Sequence, residues 1–265
     1  MKSFTLKSVA PSLTAVTLAF AASSSFAAST WSLNLNTGCG TAPATQQHGT
    51  DGSTIKCVGT NSTAVNMTGW TTSGTTPTIT TSTLMDWNAS GYGVQKSGVE
   101  PTAEHSMDNL TATDMILLQF TTGPVALSDV RMGWVSGDSD FSLLAYVGDD
   151  AASNSTSIGG KTLGNVAGGL SASGWKLVGD YTNAGSTTPK LVNPTSTSSS
   201  WWLISAFNVG FGGATNFVST DYMKLLAVSG TKTTENKVPE PGSLALMGAA
   251  LMGFVAARRR TKKTA

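Results

Sequence analysis

Short apolar segments alternate with polar turn formers through the central part of the chain. The segments are rich in aromatic and aliphatic residues, and clusters of Gly, Asp, Asn, Ser and Pro separate them, as strands joined by turns require. Six segments stand out, at residues 115–120, 130–135, 141–147, 175–181, 201–211 and 222–228. In 141–147 the residues Phe141, Leu143, Ala145 and Val147 alternate with the rest, which is the period of a strand.

Helical patterns are missing from this part of the sequence. No stretch of ten or more residues shows apolar periodicity with caps, and 29 glycines along the chain disfavour long helices. Six strands without intervening helices predict antiparallel sheets, and a body of roughly 200 residues can pack two of them face to face. We therefore predict an all-β fold, an antiparallel β-sandwich of jelly-roll type, with an up-and-down barrel as the alternative.

The N-terminus has the layout of a secretory signal peptide. Lys2 and Lys7 precede an apolar run at about residues 9–20, and small residues follow. Cleavage is predicted after Ala27, with Ala28 as a neighbouring choice, so the signal peptide spans residues 1–27. The apolar run is shorter than the roughly 20 residues of a membrane-spanning helix, which disfavours a retained anchor.

The mature chain divides into four predicted parts. Residues 28–110 are the Ser/Thr-rich N-terminal part of the β domain, 111–230 its core, 231–238 a linker and 239–265 the tail. In the first part, ten of the thirteen residues from 71 to 83 are Ser or Thr. Such a composition buries little apolar surface, so a long loop, a solvated edge strand or a glycan-bearing stretch is expected there.

Two cysteines lie 18 positions apart, at Cys39 and Cys57, in a segment full of turn formers. An exported chain with an even cysteine count is expected to form a disulfide, which contributes roughly 3 kcal/mol by restricting the unfolded chain. The alternative is a metal site of Cys39, His48 and Cys57. It lacks a fourth ligand and fits no zinc spacing.

Charge is unevenly distributed. All 15 acidic residues lie between Asp51 and Glu240, against nine basic residues in the body, so the body carries a net charge of minus six. A mildly acidic body without a basic patch excludes nucleic acid as a partner.

Two acidic patches could carry chemistry. Asp138 and Asp140 alternate between two predicted strands, and carboxylates so placed can hold calcium, which takes six to eight oxygens. The sequence favours the simpler interpretation, a Gly-Asp hairpin turn without any cofactor. Glu100, Glu104 and His105 could form an acid/base cluster, but no nucleophile motif accompanies them, so we predict no catalytic residues and no enzyme activity.

Tryptophan is plentiful, and exposed indole rings can stack on the apolar faces of sugars. Trp201 and Trp202 are adjacent in a predicted strand and must point to opposite faces. A Trp in a strand is usually part of the core, so sugar binding depends on which rings are exposed. The seven tryptophans are Trp31, Trp70, Trp87, Trp134, Trp175, Trp201 and Trp202.

The tail combines a proline-flanked triplet, a short apolar span and a basic end. Residues 242–257 carry no charge and would form about 24 Å of helix, marginal against a hydrocarbon core of about 30 Å. The basic residues that follow would stay on the cytoplasmic side. Pro239 and Pro241 prevent the helix from extending upstream, so the triplet is an accessible hinge. A single short transmembrane helix that is retained as a plain anchor is one interpretation.

The order Pro239, Glu240, Pro241, apolar span, then Arg258, Arg259, Arg260 resembles the PEP-CTERM sorting signal of Gram-negative bacteria. The resemblance implies processing by exosortase, a membrane-embedded cysteine transpeptidase that cuts near the triplet, after transient contact with the inner membrane. It also implies export to the cell surface or the extracellular space.

Stretches of the body, among them "VRMGWVSGDSDFSLLAYVG" and "DYMKLLAVSG", are similar to exosortase-dependent surface proteins. That similarity implies a non-catalytic surface or biofilm-matrix component associated with exopolysaccharide, and it transfers no site residues. A carbohydrate-binding module, with or without calcium, is the alternative function.

Overall fold

The computed structural model describes residues 27–40, 47–73, 77–95, 105–148, 156–164, 168–215 and 220–234. The predicted signal peptide up to residue 26, the sorting triplet, the apolar span and the basic end all lie outside these ranges. Among the described residues, no helix is both long and apolar enough to cross a membrane.

The secondary structure is almost entirely β. The strands of the described residues are β1 (Ala27–Asn34), β2 (Gln47–His48), β3 (Ile55–Val58), β4 (Ala64–Ser73), β5 (Thr78–Asp86), β6 (Tyr92–Gln95), β7 (Met107–Asp108), β8 (Asp114–Phe120), β9 (Val125–Val135), β10 (Phe141–Tyr146), β11 (Trp175–Tyr181), β12 (Lys190–Leu191), β13 (Trp201–Ala206) and β14 (Tyr222–Thr234). Helical structure in the same ranges is one turn, α1 (Leu35–Gly38), and four 3₁₀ turns at Thr60–Ser62, Asn88–Ser90, Ser171–Ser173 and Val209–Phe211. The all-β prediction is confirmed.

The strands form one antiparallel path in the order β11-β10-β13-β8-β4-β5-β6-β14-β9-β12. Beside this path, β1 and β7 pair with β14, β2 pairs with β5, and β3 pairs with β4. Strands distant in sequence are neighbours, such as β8 with β13 and β6 with β14, so connections cross between strands. An up-and-down arrangement would pair only consecutive strands.

β5 is the strand where the path turns a corner. Its residues 78–82 pair with β4, and its residues 83–86 pair with β6. Strands that switch partners in this way join two packed halves of a sheet. The expectation of two separate sheets is therefore corrected to one continuous sheet, because β5 belongs to both halves.

The two halves enclose the main core. Trp31 of β1 meets Phe120 of β8 edge to face with ring centroids 5.0 Å apart. Trp202 of β13 is fully buried and donates from Nε1 to the carbonyl oxygen of Val125 in β9 (3.3 Å). Since each pair joins strands from opposite halves, the inward faces pack against each other over a single hydrophobic core.

The alternation predicted for β10 is confirmed. Phe141, Leu143 and Ala145 lie in the main core, whereas Leu144 belongs to a second cluster on the outer face. Val147 is 39% exposed because β10 ends at Tyr146.

Most of the described residues of the Thr-rich segment lie in strands inside the sheet. Residues 71–73 belong to β4 and residues 78–83 to β5, and neither strand is at an edge of the strand order. Thr is β-branched and suits a strand, and two hydroxyls of the segment make short hydrogen bonds, whereas the buried Thr71 hydroxyl has no partner among the described residues. Ser82 Oγ donates to the carbonyl oxygen of Gln95 (2.6 Å), and Thr83 Oγ1 donates to the carboxylate of Asp51 (2.6 Å). Composition alone does not show that such partners exist, which is why the segment was expected in solvent.

The last strand closes the fold against the first. β14 pairs with β1 along its C-terminal part, with Ala27 opposite Thr234. The predicted cleavage residues Ala27 and Ala28 are thus the first two residues of β1. The predicted linker 231–238 begins too early, because residues 231–234 belong to β14.

Cys39 and Cys57 form a disulfide with an S–S distance of 2.01 Å, as predicted. Cys39 follows α1, which continues from β1 in one half of the sheet, and Cys57 lies in β3 in the other half. The bond therefore links the two halves. The alternative metal site of Cys39, His48 and Cys57 is wrong, because both sulfur atoms are bonded to each other.

Replacing both cysteines, Cys39→Ala with Cys57→Ala, is expected to lower the free energy of unfolding by about 3 kcal/mol, because the unfolded chain regains the freedom of an 18-position loop. Urea unfolding followed by circular dichroism measures the loss. The wild-type protein unfolded in dithiothreitol is the control and should lose a similar amount. An unchanged midpoint in both cases would contradict a stabilising disulfide.

Candidate functional site

Three aspartates meet at one end of the sheet. Asp138 and Asp140 lie in the turn between β9 and β10, as expected, and Asp221 directly precedes β14. One carboxylate oxygen from each lies within 4.8 Å of the others. Asp140 and Asp221 are buried, and Asp138 is partly exposed. We refer to these three residues as the aspartate cluster.

Backbone pairing brings the cluster together. Asp138 and Asp221 form a parallel bridge, in which the Tyr222 N–H donates to the Asp138 carbonyl oxygen (3.1 Å). The Asp140 N–H donates to Oδ1 of Asp221 (2.7 Å). The turn at Gly137 has a positive φ of 68°, a conformation that glycine adopts without strain.

Two asparagines hold the carboxylates in place. Asn109 donates from Nδ2 to Oδ2 of Asp221 (2.6 Å), and its Oδ1 accepts the Asp221 N–H (2.8 Å). The Asn183 N–H donates to Oδ1 of Asp140 (2.8 Å). The orientation of the two buried carboxylates is therefore fixed by hydrogen bonds from two separate loops.

Burial changes the acidity of the cluster. The pKa of Asp221 is raised to about 7, mainly by desolvation and also by the negative charges of Asp140 and Asp138, while hydrogen bonds from the Asp140 N–H and Asn109 oppose the shift. The pKa of Asp140 is also raised, mainly by burial, while the Asn183 N–H opposes the shift. The folded protein thus favours a proton or another positive charge at this position.

The donor set fits a hard cation. Three carboxylates supply the oxygen ligands that calcium prefers, and a divalent ion would relieve the repulsion that raises these pKa values. Sequence reasoning found Asp138 and Asp140 but missed Asp221. The only local signal was an Asp before a predicted strand, and the long-range bridge that brings it to Asp138 is invisible in the sequence. Calcium binding stays a prediction.

A second polar group surrounds His48. Its Nε2 lies 3.3 Å from Oδ2 of Asp86, and the Tyr92 hydroxyl donates to the same oxygen (3.1 Å). Burial raises the pKa of Tyr92, and the Asp86 charge adds to the shift. These hydrogen bonds join β2, β5 and β6, and they give His48 a structural role in place of the metal-ligand role that the sequence offered as an alternative.

His105 lies in an aromatic setting. Its ring stacks on Trp87 with centroids 6.1 Å apart. Burial lowers the pKa of His105, and the nearby Lys224 charge lowers it further. Glu100 and Glu104 lie outside the described residues, so the acid/base cluster is untested and the absence of catalysis stays a prediction.

The tryptophans divide between core and surface. Trp31, Trp175 and Trp202 are buried, whereas Trp70, Trp87, Trp134 and Trp201 are partly exposed. Trp87 and Trp134 flank the Lys224 ammonium, whose Nζ is 4.8 Å and 3.8 Å from their ring centroids. Trp201 and Trp202 point to opposite faces, as predicted, because Trp202 lies in the main core and Trp201 packs against the outer cluster.

Comparison with known proteins identifies the tail. Residues 237–260 match the PEP-CTERM protein-sorting motif. No curated protein and no solved structure matches the chain. This match confirms the resemblance to a PEP-CTERM sorting signal that the triplet and the arginines indicate. It also indicates export and exosortase-dependent surface localisation. The match covers the tail alone, so it assigns no role to the β domain.

The aspartate cluster predicts a pH-dependent stability. Because the pKa of Asp221 in the folded protein, about 7, exceeds the value of about 3.9 for an unfolded chain, the folded state holds the proton more tightly. Without divalent cations, the free energy of unfolding should fall as the pH rises from about 4 to about 7. Asp221→Asn should flatten this slope, as measured by thermal unfolding in EGTA across that range.

Calcium provides the complementary measurement. At pH 8, millimolar calcium should raise the unfolding temperature of the wild-type protein and leave Asp221→Asn unchanged. Asp129→Asn, which removes a carboxylate of β9 outside the cluster, is the matched control and should behave like the wild type in both experiments. An equal pH slope in Asp221→Asn would contradict the shifted pKa, and an equal response to calcium would contradict a metal site here.

Proposed function

We propose that this PEP-CTERM protein is delivered across the inner membrane by the signal peptide at residues 1–27. The apolar span at 242–257 then holds it briefly in that membrane as a short helix. Exosortase cuts near Pro239, Glu240 and Pro241, and the β domain is released to the cell surface or the extracellular space.

The position of the motif carries this proposal. β14 ends at Thr234, and the matched region begins at residue 237. A cut near the triplet would therefore remove the span and the basic end while sparing every strand that the structure describes. The tail also supplies the three parts that a sorting signal requires in the right order, whereas a plain anchor has no need of the triplet.

We further propose a non-catalytic role in an extracellular matrix with exopolysaccharide as the partner. The acidic body has no attraction for nucleic acid, and the partly exposed Trp70 and Trp201 offer surfaces of the kind that contact sugars.

The second candidate is a carbohydrate-binding module assisted by calcium. The observation that favours it is that Asp221 lies beside Asp138 and Asp140, the two aspartates expected from the sequence. One carboxylate oxygen of each of the three lies within 4.8 Å of the others. This candidate predicts that chelation of calcium with EGTA abolishes binding to polysaccharide. Binding that is equal with and without EGTA would reject it.

Processing is tested in the native host by mass spectrometry of the C-terminus. The wild-type protein on the surface should lack the residues after the triplet. A triple replacement, Pro239→Ala with Glu240→Ala and Pro241→Ala, should leave the full-length chain in the inner-membrane fraction, because the cleavage signal is gone while the span remains.

The matched control replaces Lys262 and Lys263 with Ala. These basic residues lie beyond the matched region 237–260, so processing should continue as in the wild type. Surface protein that keeps an intact "RRRTKKTA" end would reject exosortase processing and favour the retained anchor.

A further inference from the structure

A groove of about 290 Å³ lies on the outer face of the half-sheet that contains β4, β8 and β13. Trp201 and Trp70 line it together with Asn66, Gln119 and Thr68, and the segment 156–158 forms one wall. Its volume is close to the lower limit of small-molecule sites, about 300 Å³. Neither the sorting motif nor the aspartate cluster involves any of these residues.

The strand register sets one row of the groove. Gln119 of β8 is paired with Asn66 of β4 on one side and with Trp201 of β13 on the other. Neighbouring strands are about 4.8 Å apart, so the three side chains project side by side across about 10 Å. An indole ring and two amides therefore stand in one line on the same face.

The polar groups of the row are already oriented. Asn66 donates from Nδ2 to Oε1 of Gln119 (3.0 Å). This bond uses neither Oδ1 of Asn66 nor the Nε2 amino group of Gln119, which leaves an acceptor oxygen and a donor NH2 group on neighbouring side chains. Neighbouring hydroxyl groups on a sugar ring present the same combination of donors and acceptors.

Trp70 bounds the other end of the groove. Asn66, Thr68 and Trp70 alternate along β4 and share its outer face. Trp70 donates from Nε1 to Oγ1 of Thr68 (2.8 Å), which fixes the orientation of the ring. The groove thus has an aromatic side chain at each end and hydrogen-bonding side chains between them.

The lining also limits the charge of the ligand. Within the described part of the chain, every residue that lines the groove is uncharged. A carboxylate or a phosphate would find no cation among these lining residues, since Lys56, which is paired with Asn66, stands beside the row but does not line the groove. A neutral polyhydroxyl compound would exchange water hydrogen bonds for amide and hydroxyl partners.

We propose that this groove binds neutral hexose units of a polysaccharide chain. The apolar face of a sugar ring stacks on Trp201, and its hydroxyl groups bond to Asn66 and Gln119. The proposal rests on the polysaccharide partner in the proposed function and gives that partner a location. It does not depend on removal of the tail.

The groove is separate from the aspartate cluster. Trp201 is the first residue of β13, and Phe207, whose N–H donates to the Asp140 carbonyl oxygen, follows its last residue. At about 3.4 Å per residue the two sites lie about 20 Å apart along the strand. Calcium at the aspartate cluster would therefore not contact a sugar in the groove.

The test is affinity gel electrophoresis of the protein purified from its host, in gels that contain soluble β-glucan, galactomannan or the anionic polysaccharide alginate. We expect retardation by at least one of the neutral polymers, none by alginate, and no effect of EGTA. Trp201→Ala and Gln119→Ala should each weaken the binding at least tenfold, and Trp201→Phe should retain most of it.

Trp134→Ala is the matched control, because it removes a partly exposed indole from β9 in the other half of the sheet and should bind like the wild type. Unfolding midpoints verify that each variant is folded, and Gln119→Ala keeps the test decisive if loss of Trp201 disturbs the outer cluster. No retardation by any neutral polymer, or wild-type affinity in both groove variants, would overturn the proposal.

Loss of binding on addition of EGTA would reject this site in favour of the calcium-assisted candidate. Failure of the groove is distinguishable from failure of the proposed sorting, because the C-terminus of the same preparation reports the processing independently.

Discussion

The structure depends on β5, the strand that turns the corner between the two halves of the sheet. Its first residues pair with β4 and its last with β6, so both halves are held in position by one segment. That segment consists largely of Thr and Ser, and hydrogen bonds from its buried hydroxyls stabilise the corner, as when Ser82 Oγ donates to the Gln95 carbonyl oxygen. Without the corner the inward faces would not meet, and Trp202 and Phe120 would have no core to enter.

The local sequence pattern predicted the strands that bury one regular apolar face, because apolar and polar residues alternate between adjacent positions in such strands. The sequence also predicted correctly that Trp201 and Trp202 point to opposite faces and that the two cysteines form a disulfide. It failed for the Thr-rich corner, where hydroxyl partners decide the outcome, and for Asp221, which meets Asp138 only through pairing across about 80 positions. The groove was invisible for the same reason, since Asn66, Gln119 and Trp201 come from three distant strands.

β13 connects two regions of opposite character. At one end the buried aspartates concentrate negative charge and favour a proton or a cation. At the other end a neutral groove offers amides and indole rings. The separation means that each region can be altered by substitution without changing the other.

β1 and β14 are the first and last strands of the described domain and pair with each other, so the sheet cannot be completed until both have been synthesised. The pairing partner of β1 lies some 200 positions downstream in the sequence, and β14 also pairs with β6, β7 and β9. If the chain is exported with its N-terminus first, as proposed, the sheet would stay incomplete until almost the whole domain has emerged, just ahead of the sorting motif. On that route the sheet could close only when the tail alone remained to be exported, so the order of the strands would couple folding to nearly complete translocation.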